Sequence, residues 1–109
     1  MKIGDEIRQR KFVNEYHKTH INVLFTASWL NKRVTKTLKP YSISRQQFNI
    51  LRILRGQHPN PGNVKMISER MIDKMSNASR IVDKLEKKGL VTRIRVLSAQ
   101  NAQNVKLLP

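Results

Sequence analysis

The chain of 109 residues contains no cysteine, which excludes disulfide bonds, thiolate metal sites and cysteine-based peroxide sensing. Acidic residues are scarce: 7 Asp and Glu stand against 22 Lys and Arg, a formal charge of +15 that is spread along the chain. Aromatic residues make up only 6% and are scattered, whereas proteins that bind single strands usually cluster aromatics for base stacking. No apolar run approaches the roughly 20 residues that span a bilayer. The composition therefore favours double-stranded DNA over a single strand, RNA or a membrane.

The length allows one domain with a modest core. The opening segment, Met1–Arg8, has charges throughout and no apolar run, so no signal peptide is predicted and a cytoplasmic protein is expected. Ser76 and Ser79 have no histidine partner in the sequence, and glycine-rich phosphate loops and metal-hydrolase spacings are absent. We expect neither an enzyme nor a cofactor.

A long amphipathic helix is predicted from Asp5 to Leu38, with an interruption allowed between Lys18 and His20, where the spacing slackens. This stretch has no Pro or Gly, and its apolar residues recur three, four or seven apart: Phe12, Tyr16, Val23, Ala27, Leu30, Val34 and Leu38. Such a stripe exceeds what a small domain can cover. Residues 1–38 are therefore assigned to dimerisation and core, and a homodimer is expected.

Two further features of this helix leave alternatives open. His17 and His20 lie one turn apart, but without a third close ligand they indicate surface or interface residues rather than a metal site. Trp29 fits a core or dimer contact, with stacking in an aromatic ligand pocket as the alternative.

Pro40 ends the first helix, and Ser44 with Gln47 forms a predicted capping box for a second helix that ends at Gly56. That helix carries Phe48, Leu51, Ile53 and Leu54. After the turn-rich loop 56–62, Asn63 caps a short third helix with Val64, Ile67 and Met71 on its buried side. A turn over 72–75 leads into a fourth helix, which completes a helix-turn-helix.

The fourth helix has one apolar and one polar face and is predicted to end at Gly89. Ile81, Val82 and Leu85 point inward at helical spacing, and the outward residues are Ser76, Asn77, Ser79, Arg80 and Lys84. Arg80 and Lys84 repel each other at a spacing of four residues, so an external anion explains this face better than solvent does.

The outward residues suit the edges and phosphates of duplex DNA. Asn77 can pair with adenine and Arg80 with guanine, each supplying roughly 1–3 kcal/mol of discrimination. Ser79 and Ser76 complete the predicted base-reading set, although Ser76 is equally suited to an N-cap. Lys84 is placed for phosphate, and Asp83 either orients a neighbouring cation or is solvated.

Beyond Gly89 the sequence predicts a β-hairpin, the wing. The segment 90–97 is rich in β-branched residues, the polar stretch 98–104 follows, and 105–108 supplies a second strand. Arg93 and Arg95 share one strand face, which is expected to meet the DNA backbone or minor groove. A solvated edge strand is the alternative. The predicted fold is mainly α with a small β-hairpin: a winged helix-turn-helix over 39–109 preceded by a long N-terminal helix, in one compact unit.

These residues resemble the multiple-antibiotic-resistance regulators (MarR) of bacteria. The resemblance is strong from Ser42 to about Arg93 and is specific in the run 76–93, Ser-Asn-Ala-Ser-Arg-Ile-Val-Asp-Lys-Leu-Glu-Lys-Lys-Gly-Leu-Val-Thr-Arg. The motif Ser44-x-x-Gln-Phe48-x-x-Leu51-x-x-Leu54 adds weaker support. The resemblance implies a homodimeric winged-helix repressor that binds a pseudo-palindromic operator and is often released by a small-molecule effector.

The sequence departs from the family pattern in two places. Family wings usually carry an Asp-Arg pair before the last strand, where this chain has Asn101-Ala-Gln-Asn104. The sequence also stops at Pro109, where family members continue into C-terminal helices that pair with the partner. The wing tip and the dimer interface are therefore the features least defined by the resemblance.

The combined expectation is a sequence-specific regulator that binds duplex DNA. A non-specific nucleoid-type protein is the first alternative, since the charge of +15 alone would support it. The second is a helical interaction module whose basic face docks an acidic protein.

Overall fold

The computed structural model describes residues 2–7, 11, 13–95 and 103–108. The chain divides into two compact units, Met1–Ser42 and Ile43–Pro109. The boundary lies just after the predicted break at Pro40.

The first unit contains the short helix α1 (Ile3–Glu6) and the long helix α2 (Glu15–Leu38), followed by a 3-10 turn at Lys39–Tyr41. Asn14 caps α2: its Oδ1 accepts from the backbone N–H of His17 at 2.8 Å. The imidazole Nδ1 of His17 accepts from the N–H of Val13 at 3.2 Å. The predicted start at Asp5 and the interruption near Lys18 are therefore wrong, because this cap begins a helix that continues unbroken to Leu38. Residues 8–10 and 12 of the predicted helix lie outside the described residues.

The second unit contains helices α3 (Arg45–Gly56), α4 (Val64–Arg70) and α5 (Ala78–Lys87). The capping box of α3 is confirmed: the N–H of Gln47 donates to Ser44 Oγ at 3.0 Å, and the N–H of Ser44 donates to Gln47 Oε1 at 3.1 Å. The cap of α4 is also confirmed, since Asn63 Oδ1 accepts from the N–H of Met66 at 2.7 Å. Short polar side chains therefore set both helix starts as the sequence predicts.

Helix α5 ends at the predicted glycine. Gly89 adopts the left-handed conformation, with φ of 75°. Its N–H donates to Glu86 O at 3.0 Å, and the N–H of Leu90 donates to Leu85 O at 3.1 Å. This Schellman motif satisfies two carbonyls at the helix end and turns the chain directly into the wing.

The wing is an antiparallel hairpin of β2 (Val91–Arg95) and β3 (Gln103–Leu107), and its tip at residues 96–102 lies outside the described residues. A third strand, β1 (Gly62–Asn63), pairs with β3 and gives the sheet order β1-β3-β2. The predicted hairpin is confirmed. The sequence does not indicate β1, because two residues are too few to show a period-2 pattern.

The core lies between α3, α4, α5 and the sheet. Its buried apolar residues are Ile50, Leu54, Ile67, Met71, Ala78, Val82, Leu85, Val91 and Val105. Among the predicted positions, Ile81 and Val64 are only partly buried against this cluster. Of the helices that the structure describes, none combines the length and apolarity needed to cross a membrane.

Candidate nucleic-acid interface

Helix α5 presents a continuous polar face opposite its buried residues. Ala78, Val82 and Leu85 face the core, and the predicted contacts Ser79, Arg80 and Lys84 are all exposed. Lys87 lies on the same exposed face and extends the row of cations along the helix. The polar face thus offers hydrogen-bonding groups near the helix start and positive charge farther along.

Asn77 is the N-cap of α5, a role that the sequence suggested for Ser76. Its Oδ1 accepts from the backbone N–H of Arg80 at 3.1 Å. A bidentate contact to adenine would need both Oδ1 and Nδ2 of the same amide. The capping bond uses one of the two lone pairs of Oδ1 and fixes the backbone of Arg80 at the start of the helix.

A concave surface lies between α4 and the start of α5. It is lined by Val64, Lys65, Ser68, Glu69, Lys74, Ser76, Asn77, Ala78 and Ser79. The structure thus brings the predicted residues Ser76, Asn77 and Ser79 together with Lys65 and Lys74. Lys74 Nζ donates to the carbonyl of Glu69 and so holds the end of α4 against the turn.

Lys65 and Lys74 were not among the predicted site residues. A sequence signal for Lys65 existed, since it follows the cap Asn63 at the start of the first helix of a helix-turn-helix. That helix crosses the DNA backbone in such motifs. Lys74 lies in the connecting turn, where sequence spacing does not indicate direction.

The side chain of Arg93 lies against α5. Its guanidinium donates to the carboxylate of Asp83 and, at 3.2 Å, to the carbonyl of Ser79. The side chain is 21% exposed. Asp83 therefore orients a neighbouring cation, the first of its two predicted roles. The contact of Arg93 with DNA stays a prediction.

Strand register explains this placement. Arg93 pairs with the buried Val105 and is two residues from the buried Val91. Directly opposed residues in an antiparallel pair share a face, as do residues two apart along a strand. The face that carries Arg93 is thus the one that packs on α5, and Ile94 on the opposite face is exposed. Arg95 shares this parity in the backbone, and its side chain lies outside the described residues.

Two hydrogen bonds hold α5 relative to α3. Lys88 Nζ donates to Oε1 of the buried Gln47 at 3.0 Å. Asn49 Oδ1 accepts from the backbone N–H of Ile72 at 2.9 Å, which secures the turn before α5. These bonds tie the end of α5 and the turn that precedes it to α3.

In the first unit, Trp29 remains partly exposed, and the Arg33 guanidinium lies 4.9 Å from the centroid of its ring. His17 takes part in the N-terminal capping of α2. Within the described part of the chain, no group of three or more His, Asp and Glu side chains is arranged to hold a metal ion.

An exposed polar helix, preceded by a tight turn and followed by a β-hairpin, defines a winged helix-turn-helix protein. The MarR family model matches residues 43–98, which is more than half of the chain. The chain belongs to the MarR family of transcription regulators, a family of generally non-enzymatic proteins.

Solved structures agree on the fold. A MarR transcription factor from Planctomyces limnophilus is 24% identical, with a TM-score of 0.74 over 90% of this chain and 70% of its own. The organohalide-sensing regulator RdhR, bound to 2,4-dichlorophenol, is 22% identical, with a TM-score of 0.75 over 88% of this chain and 56% of its own. The Staphylococcus aureus MepR–DNA complex is 16% identical, with a TM-score of 0.71 over 90% of this chain and 68% of its own.

This chain thus spans only part of the length of these structures, from 56% to 70%. A comparison with curated protein sequences finds no significant match.

Proposed function

We propose that the protein is a sequence-specific regulator that binds a pseudo-palindromic operator as a homodimer and represses transcription. The observation that supports this proposal most strongly is the polar face of α5, which presents Ser79, Arg80 and Lys84 to solvent while the opposite face is buried in the core. The major groove of B-DNA is about 12 Å wide and admits such a helix. The charge of +15 supplies long-range attraction to phosphates.

Within this proposal the residues divide into three roles. Arg80 and Ser79 read base edges, with Ser76 and Asn77 supplementing them. Lys84 contacts phosphate, and Lys65 and Lys74 on the concave surface join it. Arg95 contacts DNA from the wing. Arg93 positions the wing against α5 and also contacts phosphate.

A dimer is supported by apolar side chains on α2 that its own unit leaves uncovered. Leu30 is 49% exposed and Val34 is 37% exposed, one turn apart on the same helix face. Two subunits related by a two-fold axis would place two α5 helices on two half-sites. A small-molecule effector belongs to the proposal as well, since the similar regulator RdhR was solved with 2,4-dichlorophenol bound.

Selection of duplexes from a random library tests the function directly. A specific regulator enriches one sequence with two-fold symmetry, and the spacing of its half-sites is about 10 base pairs or a multiple. Binding to that duplex is then measured against unrelated duplex of the same length. We expect a preference of at least about a thousandfold at physiological salt.

Two other outcomes identify the alternatives. A nucleoid-type binder would enrich no sequence and would bind all duplexes with the same steep salt dependence. A protein-interaction module would bind an acidic protein that operator DNA displaces no better than unrelated DNA. The exposed hydrogen-bonding residues at the start of α5 favour the regulator, because a protein that binds only phosphates has no need of them.

A further inference from the structure

The turn between α4 and α5 carries two exposed apolar side chains. Met75 is 92% exposed and Ile72 is 80% exposed, whereas Met71, at the start of the same connection, is buried. An apolar side chain held in water beside a basic surface offers a contact that cations cannot make.

Hydrogen bonds fix the backbone of this turn. The N–H of Ile72 donates to Asn49 Oδ1 at 2.9 Å, and that of Met75 donates to Asp73 Oδ1 at 3.0 Å. The N–H of Ser76 donates to Asp73 O at 3.2 Å. The outward position of Met75 is therefore set by the local structure of the helix-turn-helix.

Met75 also lies at the part of the protein that would enter DNA. It precedes the N-cap Asn77 by two residues, and consecutive Cα atoms are 3.8 Å apart, so the two Cα atoms lie within about 7.6 Å. Residues at the start of a recognition helix contact base edges. A side chain this close reaches the same groove, which is about 12 Å wide.

The bases offer one apolar group in the major groove, the 5-methyl of thymine. We propose that Met75 determines part of the sequence specificity by packing against a thymine methyl group in each half-site. This inference rests on the proposed function, and it adds an apolar contact to the polar ones of α5. Methionine suits the task because its flexible thioether adapts to an irregular surface.

A protein partner is a weaker occupant for this surface. A stable protein interface buries about 800 Å² on each side, and two side chains supply only a small part of that. The residues on either side of Met75 in the chain are Lys74 and Ser76, which are cationic and polar. Cationic and polar groups are complementary to DNA. They also interrupt the apolar surface, so a protein partner would find no continuous apolar area to bury.

Replacement of thymine by uracil tests the contact, because uracil lacks only the methyl group and keeps every hydrogen-bonding atom. Full-length protein is titrated against its selected operator, with thymines replaced one at a time in both half-sites. We expect one or two positions at which uracil weakens binding by about fourfold per half-site, the effect of burying one methyl group less.

Variants of Met75 assign the effect to the side chain. Met75→Gln, of similar length but polar at its end, should lose the same factor on the thymine operator and become indifferent to uracil. Met75→Leu should retain the discrimination. Ile72→Ala, in the same turn but farther from the cap, is the matched control and should bind as the wild type does. Thermal unfolding of each variant should be unchanged, since the side chains are exposed.

The inference is overturned if uracil has no effect at any position or if the selected half-site has no thymine. It is equally overturned if Met75→Gln remains as sensitive to uracil as the wild type, or if Ile72→Ala loses the discrimination. A protein that selects no preferred duplex at all would instead contradict the proposed function. The two failures are therefore distinguishable.

Discussion

Under the proposed function, base recognition is expected to depend most on Arg80. It is exposed on α5, and Asn77 fixes its backbone through the cap. We expect Arg80→Ala to weaken specific binding by roughly 1–3 kcal/mol and to relax the preference at one base pair per half-site. Fluorescence anisotropy with operator variants measures both effects.

Lys84 provides the comparison for Arg80 on the same face. Lys84→Ala should weaken binding to all sequences alike and reduce the slope of log affinity against log salt by about 0.9 for each phosphate that the lysine neutralises. If both substitutions produced the same uniform loss, Arg80 would bind phosphate and would not read a base.

Arg93 has a different expected signature, because its guanidinium binds Asp83 and the carbonyl of Ser79. The Asp83 side chain is 58% exposed, so solvent screens the pair. A double-mutant cycle of Arg93→Gln and Asp83→Asn should therefore give a coupling of only about 0.2–1 kcal/mol in the free energy of unfolding. Urea denaturation measures it.

DNA binding by the Arg93→Gln variant separates positioning from phosphate binding. Since Asp83 already neutralises Arg93, we expect its salt slope to fall by clearly less than the value of about 0.9 for one fully neutralised phosphate. A full change in slope, together with zero coupling to Asp83, would show that Arg93 leaves α5 for the DNA.

The start of α5 depends on a single capping side chain. Asn77→Ala removes the acceptor for the N–H of Arg80, and we expect it to lower the free energy of unfolding by about 1 kcal/mol. Ser76→Ala, one residue earlier, is the matched control and should change stability by no more than a few tenths of a kcal/mol. Equal losses in the two variants would mean that Ser76 shares the cap.

The proposed dimer is expected to form through the uncovered apolar face of α2. Leu30→Glu combined with Val34→Glu places two charges on that face, and we expect the protein to shift toward monomer and to lose operator affinity. Sedimentation velocity reports the oligomeric state. The control variant, Asn31→Glu with Thr35→Glu, adds the same charges at the same spacing on exposed positions one residue along the helix.

The control should leave assembly unchanged. An unaltered oligomer in the Leu30 and Val34 variant would assign pairing to another surface. A monomer in both variants would show that negative charge on α2 disrupts assembly wherever it is placed.

Local signals in the sequence determined most of the second unit. Ser44, Asn63 and Gly89 mark helix ends through hydrogen bonds with residues three positions away, and such bonds depend on chain neighbours alone. The polar face of α5 follows from helical periodicity for the same reason. The sequence predicts the start of α2 too early, because the amphipathic pattern continues across Asn14. The Asn14 side chain caps the helix there, and this local hydrogen bond sets the helix start instead of the pattern.

Only the tertiary structure decided where the strand residues point and what they contact. The alternation along 91–95 places Arg93 and Arg95 on one face, but whether that face packs on α5 or meets solvent depends on pairing with β3 and contact with a helix ten residues away. Likewise, the short strand β1 exists because β3 lies beside it. Periodicity sorts side chains into faces, whereas long-range packing assigns each face its partner, and that assignment is a property of the folded chain.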